Sequence, residues 1–204
     1  AIHHILDTLA EGGYVERRTR PVTYHLGPAV QALAERGRQR QTDAAVDREL
    51  QRLARVLPRI KAVYCEAVGL EFRMRRQAGD TGVVAVDASL PPYTSAASLV
   101  HFAFWPSERV EDYQAERPFT THGIALWQNR ERFDAAVAAV RARGFADLPM
   151  DAASRPRIGV PVLRGDGVLV GSFTLTAGPG APTATRDDLI REGLAATASI
   201  RSET

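Results

Sequence analysis

Next to Pro58 the period of the hydrophobic pattern changes from helical to strand spacing, and that change commits the chain to a mixed fold. Upstream, apolar residues recur at helical spacing. Ile2, Ile5, Leu6 and Leu9 stand at i, i+3, i+4 and i+7, one stripe of a helix whose other face carries His3, His4, Asp7 and Thr8. Gly27-Pro28 opens another helix, and Thr42 reads as the cap of a further one whose Val46, Leu50, Leu53 and Leu57 run up to Pro58. From Ile60 the apolar runs become short and bounded by glycine or proline, at 60–68, 71–77 and 83–87, as strands are. Helices return at 94–105, closed by Pro106, and at 129–143, closed by Gly144, with Phe133, Ala136, Val137 and Val140 facing inward. The runs 157–163 and 168–176 flank Arg164-Gly165-Asp166-Gly167, a hairpin signal. Thr185 with Asp188 three residues on forms a capping box, aspartate standing where glutamate is usual, and opens a last helix. Strands and helices that alternate without βαβ regularity predict an α+β fold, an antiparallel sheet flanked by helices.

The N-terminal part has its own signature. Gly12-Gly13 stops the first helix, and Tyr14-Val15 starts an extended run that turns at Arg17-Arg18-Thr19-Arg20-Pro21 and returns through Val22-Thr23-Tyr24-His25-Leu26. A helix followed by a basic-tipped hairpin is how a winged helix-turn-helix ends. The first residue already stands in the helical stripe with no Ser, Thr or Asp cap before it, so the chain reads as missing its start. The expected divisions are a partial DNA-binding domain at 1–27, linker helices at 28–58 and a second domain at 59–204.

Composition narrows the function classes. With 204 residues, 45% of them hydrophobic, the chain can bury a sizeable core. A net charge of +2 is too small for a general polyanion binder, so any nucleic-acid contact must be local. Lys61 is the only lysine among 26 basic side chains. No run approaches the ~20 apolar residues of a membrane span and no secretory leader is present, so a cytoplasmic location is expected. The single cysteine, Cys65, forms no internal disulfide and reads as a small core residue, and no Cys/His spacing suits a metal. No nucleophile elbow, phosphate loop, dinucleotide fingerprint or His-Glu-x-x-His motif is present, so neither an enzyme nor a cofactor is expected. His101 lies on an apolar helical face as a packed histidine, and His122 falls in a surface turn.

The order of these motifs resembles the IclR family of transcriptional regulators. Residues 1–15 resemble the family's recognition helix, helix stop and first wing strand, and Tyr24-His25-Leu26-Gly27-Pro28 its second wing strand and linker entry. Residues 90–99 (LPPYTSAASL) are similar to its pocket loop and following helix. Arg143-Gly144-Phe145-Ala146-Asp147, Ile158-Gly159-Val160-Pro161-Val162 and Ser172-Phe173-Thr174-Leu175-Thr176 complete the series. The resemblance implies a GAF-like effector-binding domain after the linker. It departs where Ser98-Leu99 replace the family's usual Gly-Lys pair, and where Leu148-Pro149-Met150-Asp151 replace an acidic cluster.

The candidate site residues fall into two groups. A helix fits the major groove, where His3, His4 and Thr8 can reach base edges, and His4 matches a polar contact position of the family. Arg17, Arg18 and Arg20 at the hairpin can neutralise phosphates or enter a narrow minor groove, with Tyr24 beside them, although a basic turn can equally be solvated surface. For the effector, Thr174 and Thr176 are two apart on a strand and share a face. Ser95 and Ser98 sit at a helix start whose free N–H groups favour a carboxylate. The resemblance adds Asp147 and Arg157 near the same pocket. Tyr93 and Thr94 lie on the adjoining loop, where Tyr93 with Phe102, Phe104 and Trp105 suggests an aromatic or otherwise apolar acid; core packing explains the aromatics as well. The function expected is regulation of an operator by a small organic acid, the protein acting as a homodimer or homotetramer on double-stranded DNA. A stand-alone sensory module is the alternative.

Overall fold

The structure, a computed structural model, describes residues 2–19, 21–79, 82–148, 155–177 and 185–204. They form two compact units, residues 1–44 and 45–204. In the first, α1 (Ile2–Glu11) is followed by the antiparallel hairpin of β1 (Val15–Thr19) and β2 (Val22–Leu26), paired from Val15↔Leu26 to Thr19↔Val22. Gly27 closes the hairpin against the end of α1. Its N–H donates to the Tyr14 carbonyl at 2.8 Å, and a Cβ there would lie 2.2 Å from the Gly13 oxygen, so only glycine fits.

The two linker helices expected from the sequence are one helix, α2 (Pro28–Val56), of 29 residues. Thr42 does not cap a new helix. Its hydroxyl donates to the Arg38 carbonyl four residues back, at 3.0 Å, so its hydrogen bond is satisfied inside a continuous turn. The single Gly37 costs such a helix about 1 kcal/mol, too little to end it. Residues 45–56 of α2 belong to the second unit.

That unit is built on a six-stranded antiparallel sheet of order β5-β4-β3-β8-β7-β6. Its strands are β3 (Ile60–Val68), β4 (Glu71–Gly79), β5 (Gly82–Leu90), β6 (Ala146–Asp147), β7 (Arg157–Leu163) and β8 (Leu169–Ala177). The pleat sends alternate residues to opposite faces. Tyr64, Val160, Phe173 and Leu175 pack on one side with Val46, Leu50 and Leu53 of α2 and with Leu189, Ala196 and Ile200 of α8 (Arg186–Glu203). Arg52 ties these two helices, donating to Glu49 at 2.6 Å, to the Glu192 carboxylate at 2.8 Å and to its carbonyl at 3.1 Å. The Thr185–Asp188 capping box opens α8 as expected.

The other face carries α3 (Ala96–Phe104) and, beyond it, α4 (Ser107–Glu116), α5 (Phe119–His122), α6 (Ile124–Trp127) and α7 (Arg130–Arg143). Phe72 of β4 leads an aromatic core there with Tyr93, Phe102, Trp105, Tyr113 and Phe133. Asn129 caps α7 by accepting from the Arg132 N–H at 2.9 Å, and Gly144 ends it at φ 82°, in the left-handed region that glycine adopts without strain. The short helices 107–127 are absent from the sequence reading, and His122 ends one of them, half-buried, not a surface turn. No described helix is long and apolar enough to cross a membrane.

Candidate functional site

In the first unit the side chains expected to contact DNA fall on two elements. His4 and Thr8 are exposed on α1, one turn apart, and the Thr8 hydroxyl donates to the His4 carbonyl at 2.9 Å, leaving its lone pairs outward. Arg17 and Arg18 are exposed within β1, not at the turn where the sequence placed them. Register pairs Arg17 with Tyr24 and Arg18 with Thr23, so the two guanidinium groups leave opposite faces of the hairpin. Tyr24 is half-buried on the Arg17 face, and Thr23 and His25 interact on the other at 3.3 Å. Among the described residues neither arginine has an ion-pair partner. Arg20 and the side chain of His3 lie outside the described residues.

In the second unit the sheet and the start of α3 enclose a cavity of ≈ 240 Å³. Its floor is set by register. Thr176 lies between Lys61 of β3 and Arg157 of β7, and Thr174 lies between Val63 and Gly159 in the next row. Cys65, Met74 and Leu90 continue the floor as apolar wall, and Ser95 and Ala96 overhang it. A helix can come this close because of Gly159, where a Cβ would stand 2.8 Å from the Ala96 carbonyl oxygen. The helix start is rigid. The Ser98 N–H donates to Ser95 Oγ at 3.0 Å, the Ser95 N–H to Ser98 Oγ at 3.3 Å, and the Ser98 hydroxyl to the Ser95 carbonyl at 2.8 Å. Ser95 keeps its own hydroxyl proton to donate into the cavity, while the Ala96 and Ala97 N–H groups stand in the first turn, beyond reach of any helical carbonyl. The Cys65 thiol, 3.9 Å from Thr174 Oγ1, is pushed up to about 12 by burial, so it presents a neutral SH to the cavity.

The structure thus brings Ser95, Arg157, Thr174 and Thr176 together and separates the other expected effector residues from them. Ser98 is fully buried and its hydroxyl is committed to the capping box. Tyr93 points away into the aromatic core, stacked on Phe102 at 5.0 Å, with its hydroxyl donating to the Arg117 carbonyl at 2.6 Å. Its φ of 62° is rare for a bulky residue, and these contacts, with Trp127 donating to its carbonyl at 2.8 Å, hold the loop that presents Ser95. Thr94 is half-buried in that loop and does not line the cavity. Asp147, on β6, is paired with Arg186 at 2.6 Å. Among the described residues no aromatic ring lines the cavity: Phe102 and Trp105 face the core of α3–α7. Sequence reasoning missed Lys61, Val63, Met74 and Leu90 as lining. Alternation along β3 puts Lys61, Val63 and Cys65 on one face, but which strand they neighbour is not readable from it.

A larger groove, ≈ 520 Å³, lies beside Gln51, Arg55, Arg59 and Gly79, and no described lining residue carries a hydroxyl. Among the described residues no three His, Cys, Asp or Glu gather as a metal site.

No protein-family model and no curated protein sequence matches the chain. Solved structures do match its fold. A designated transcriptional regulator from Rhodococcus sp. RHA1 is similar over 98% of this chain and 82% of its own, at 19% identity and a TM-score of 0.64. An IclR homolog from Microbacterium hydrocarbonoxydans, solved with 4-hydroxybenzoate, is similar over 98% of this chain and 83% of its own, at 18% identity and a TM-score of 0.59. The C-terminal domain of the Escherichia coli transcriptional regulator KdgR is similar over 80% of this chain and 98% of its own, at 13% identity and a TM-score of 0.62.

Proposed function

We propose that this chain, which has the fold of IclR-type transcriptional regulators, is itself a DNA-binding regulator whose operator affinity is set by a small organic acid held over Thr174 and Thr176. The observation that carries the reading is the convergence of two strand hydroxyls, the Ser95 hydroxyl, the first turn of α3 and two cations on one cavity. An acid is the ligand class that uses all of them: the hydroxyls and N–H groups donate, and Lys61 and Arg157 supply charge. The 4-hydroxybenzoate bound by the Microbacterium neighbour is an acid of this kind. Catalysis has no support in the cavity, whose thiol stays protonated and whose described lining contains no carboxylate or imidazole.

On the DNA side, α1 presents His4 and Thr8 to the major groove while Arg17, Arg18 and Tyr24 reach the flanking backbone from the hairpin. Two such units one helical turn apart require a homodimer, or a homotetramer of two dimers. The test has two arms. A thermal-shift screen of small organic acids, 4-hydroxybenzoate included, is expected to raise the melting temperature for at least one acid, and Thr174→Val and Thr176→Val are expected to abolish that rise. Genomic fragments selected by the protein are then titrated with and without that acid. Binding that weakens steeply with salt and changes with the acid supports the reading. Protein that retains no fragment at any salt concentration while still binding an acid is a stand-alone sensor instead.

A further inference from the structure

Among its described lining residues the cavity carries two positive charges and no negative one. Lys61 and Arg157 are the cross-strand neighbours of Thr176 on its two sides. With neighbouring strands ~4.8 Å apart, their Cα atoms stand roughly 10 Å apart, so each cation commands its own side of the Thr176 hydroxyl. Neither has an ion-pair partner among the described residues. Two described carboxylates that could have reached them are turned elsewhere: Glu66 alternates to the opposite face of β3, where it meets Arg75 at 3.8 Å, and Asp147 is held by Arg186. Lys61 is exposed and Arg157 half-buried, so both stand at the mouth, while Val63, Cys65, Met74 and Leu90 make the interior apolar.

Resting on the reading of this cavity as an acid site, we infer that it selects a small acid carrying two carboxylates, one on each side of Thr176, with its carbon skeleton turned inward toward Val63 and Leu90. A monoanion pairs only one of the two cations; a dianion pairs both. A volume of ≈ 240 Å³, below the ~300 Å³ where drug-sized sites begin, limits the skeleton to a short one.

The test compares diacids with monoacids of the same carbon count, succinate with butyrate, glutarate with valerate and adipate with hexanoate, by titration calorimetry on the full chain at physiological salt. At least one diacid is expected to bind about tenfold or more tightly than its matched monoacid, the worth of one further charge-assisted hydrogen bond. Lys61→Met and Arg157→Met are each expected to remove that advantage, with unliganded melting temperatures unchanged because neither cation pairs with a described protein carboxylate. Monoacids binding as tightly as their diacids, or a diacid advantage that survives both substitutions, overturns the inference and leaves the acid site standing. Failure of every acid, 4-hydroxybenzoate included, to bind overturns both.

Discussion

His101 is a proton acceptor that folding switches off. It is 2% exposed, packs against the rings of Phe72 at 5.2 Å and Trp105 at 5.4 Å, and its Nδ1–H donates to the Ala97 carbonyl at 2.8 Å. A carbonyl only accepts, so the neutral ring carries its proton on Nδ1. Burial pushes the imidazole down to about 4, and the nearby Arg109 guanidinium, 4.4 Å over the Trp105 ring, pushes the same way, against the pull of the Ala97 carbonyl. Unfolded, the ring titrates near 6.5. Between those two values the unfolded chain binds a proton that the folded one refuses, so stability falls as pH drops through that window, by about 3 kcal/mol in all. Between pH 7 and pH 4.5 the urea midpoint of the parent should fall relative to that of His101→Phe; a difference that stays constant refutes the linkage. Ser172 offers a second test of the same physics. It is fully buried between its cross-strand neighbours Cys65 and Pro161, and its Oγ has no hydrogen-bond partner. An unmet buried hydroxyl costs ~1–3 kcal/mol, so Ser172→Ala should raise the urea midpoint, by about 1 kcal/mol after its lost packing is counted. A less stable variant would contradict the assignment.

At the scale of elements, the approach of α3 to β7 is set by one missing methyl group. A Cβ on residue 159 would stand 2.8 Å from the Ala96 oxygen and 3.0 Å from the Ala96 Cβ, and neither backbone can yield without moving the turn that carries Ser95. Gly159→Ala is therefore expected to cost ~1–3 kcal/mol and to weaken acid binding together with stability. Gly37→Ala is the matching control: nothing lies within 4 Å of that position inside α2, so the change should stabilise by ~0.5–1 kcal/mol. Chemical denaturation of the two variants reads both, and equal effects would mean that the approach of α3 is looser than described. These two glycines also mark what the sequence can disclose. Local chemistry was legible: Asn129, Gly144, Thr185 with Asp188, and the turn at Arg164-Gly165-Asp166-Gly167 all sit where their side chains or backbone freedom require. Thr42 misled because a threonine satisfied by its own helix looks, in sequence, like one that starts another. Of the helices between Pro106 and Gln128, α5 and α6 have four residues each and show no period, and α4 buries only Tyr113 and so shows no apolar stripe, although Pro106 and Pro118 stand just before α4 and α5. For the site, the shared face of Thr174 and Thr176 was readable from alternation alone. Lys61 was not, because its place beside Thr176 is a register between strands more than a hundred residues apart.

For the whole molecule, the proposed control of residues 1–44 by an acid on one face of the sheet needs a route, and alternation along β8 offers one. Thr174 and Thr176 face the cavity, while Phe173 and Leu175 of the same strand pack on Val46, Leu50 and Leu53 of α2, the helix whose N-terminal half lies in the other unit. A close-packed core passes strain on instead of absorbing it, so a ligand that shifts β8 would strain that packing. Arg52 fixes α2 against α8 on this face, and its hydrogen bonds are the largest cause holding the Glu192 carboxyl below its usual range. Arg52→Met removes this polar tie between the two helices without touching the cavity. In the parent, saturating acid is expected to change operator affinity by about tenfold, and operator to change acid affinity by the same factor, since coupling is reciprocal. In Arg52→Met, acid affinity without DNA should stay within about twofold of the parent while the coupling factor shrinks toward one, because a ligand shifts only those states whose affinities differ. Fluorescence titrations of acid against protein, with and without operator, give both numbers. Unchanged coupling in Arg52→Met would remove the α2–α8 clamp from the route, and an acid affinity in the parent indifferent to operator would remove the route altogether.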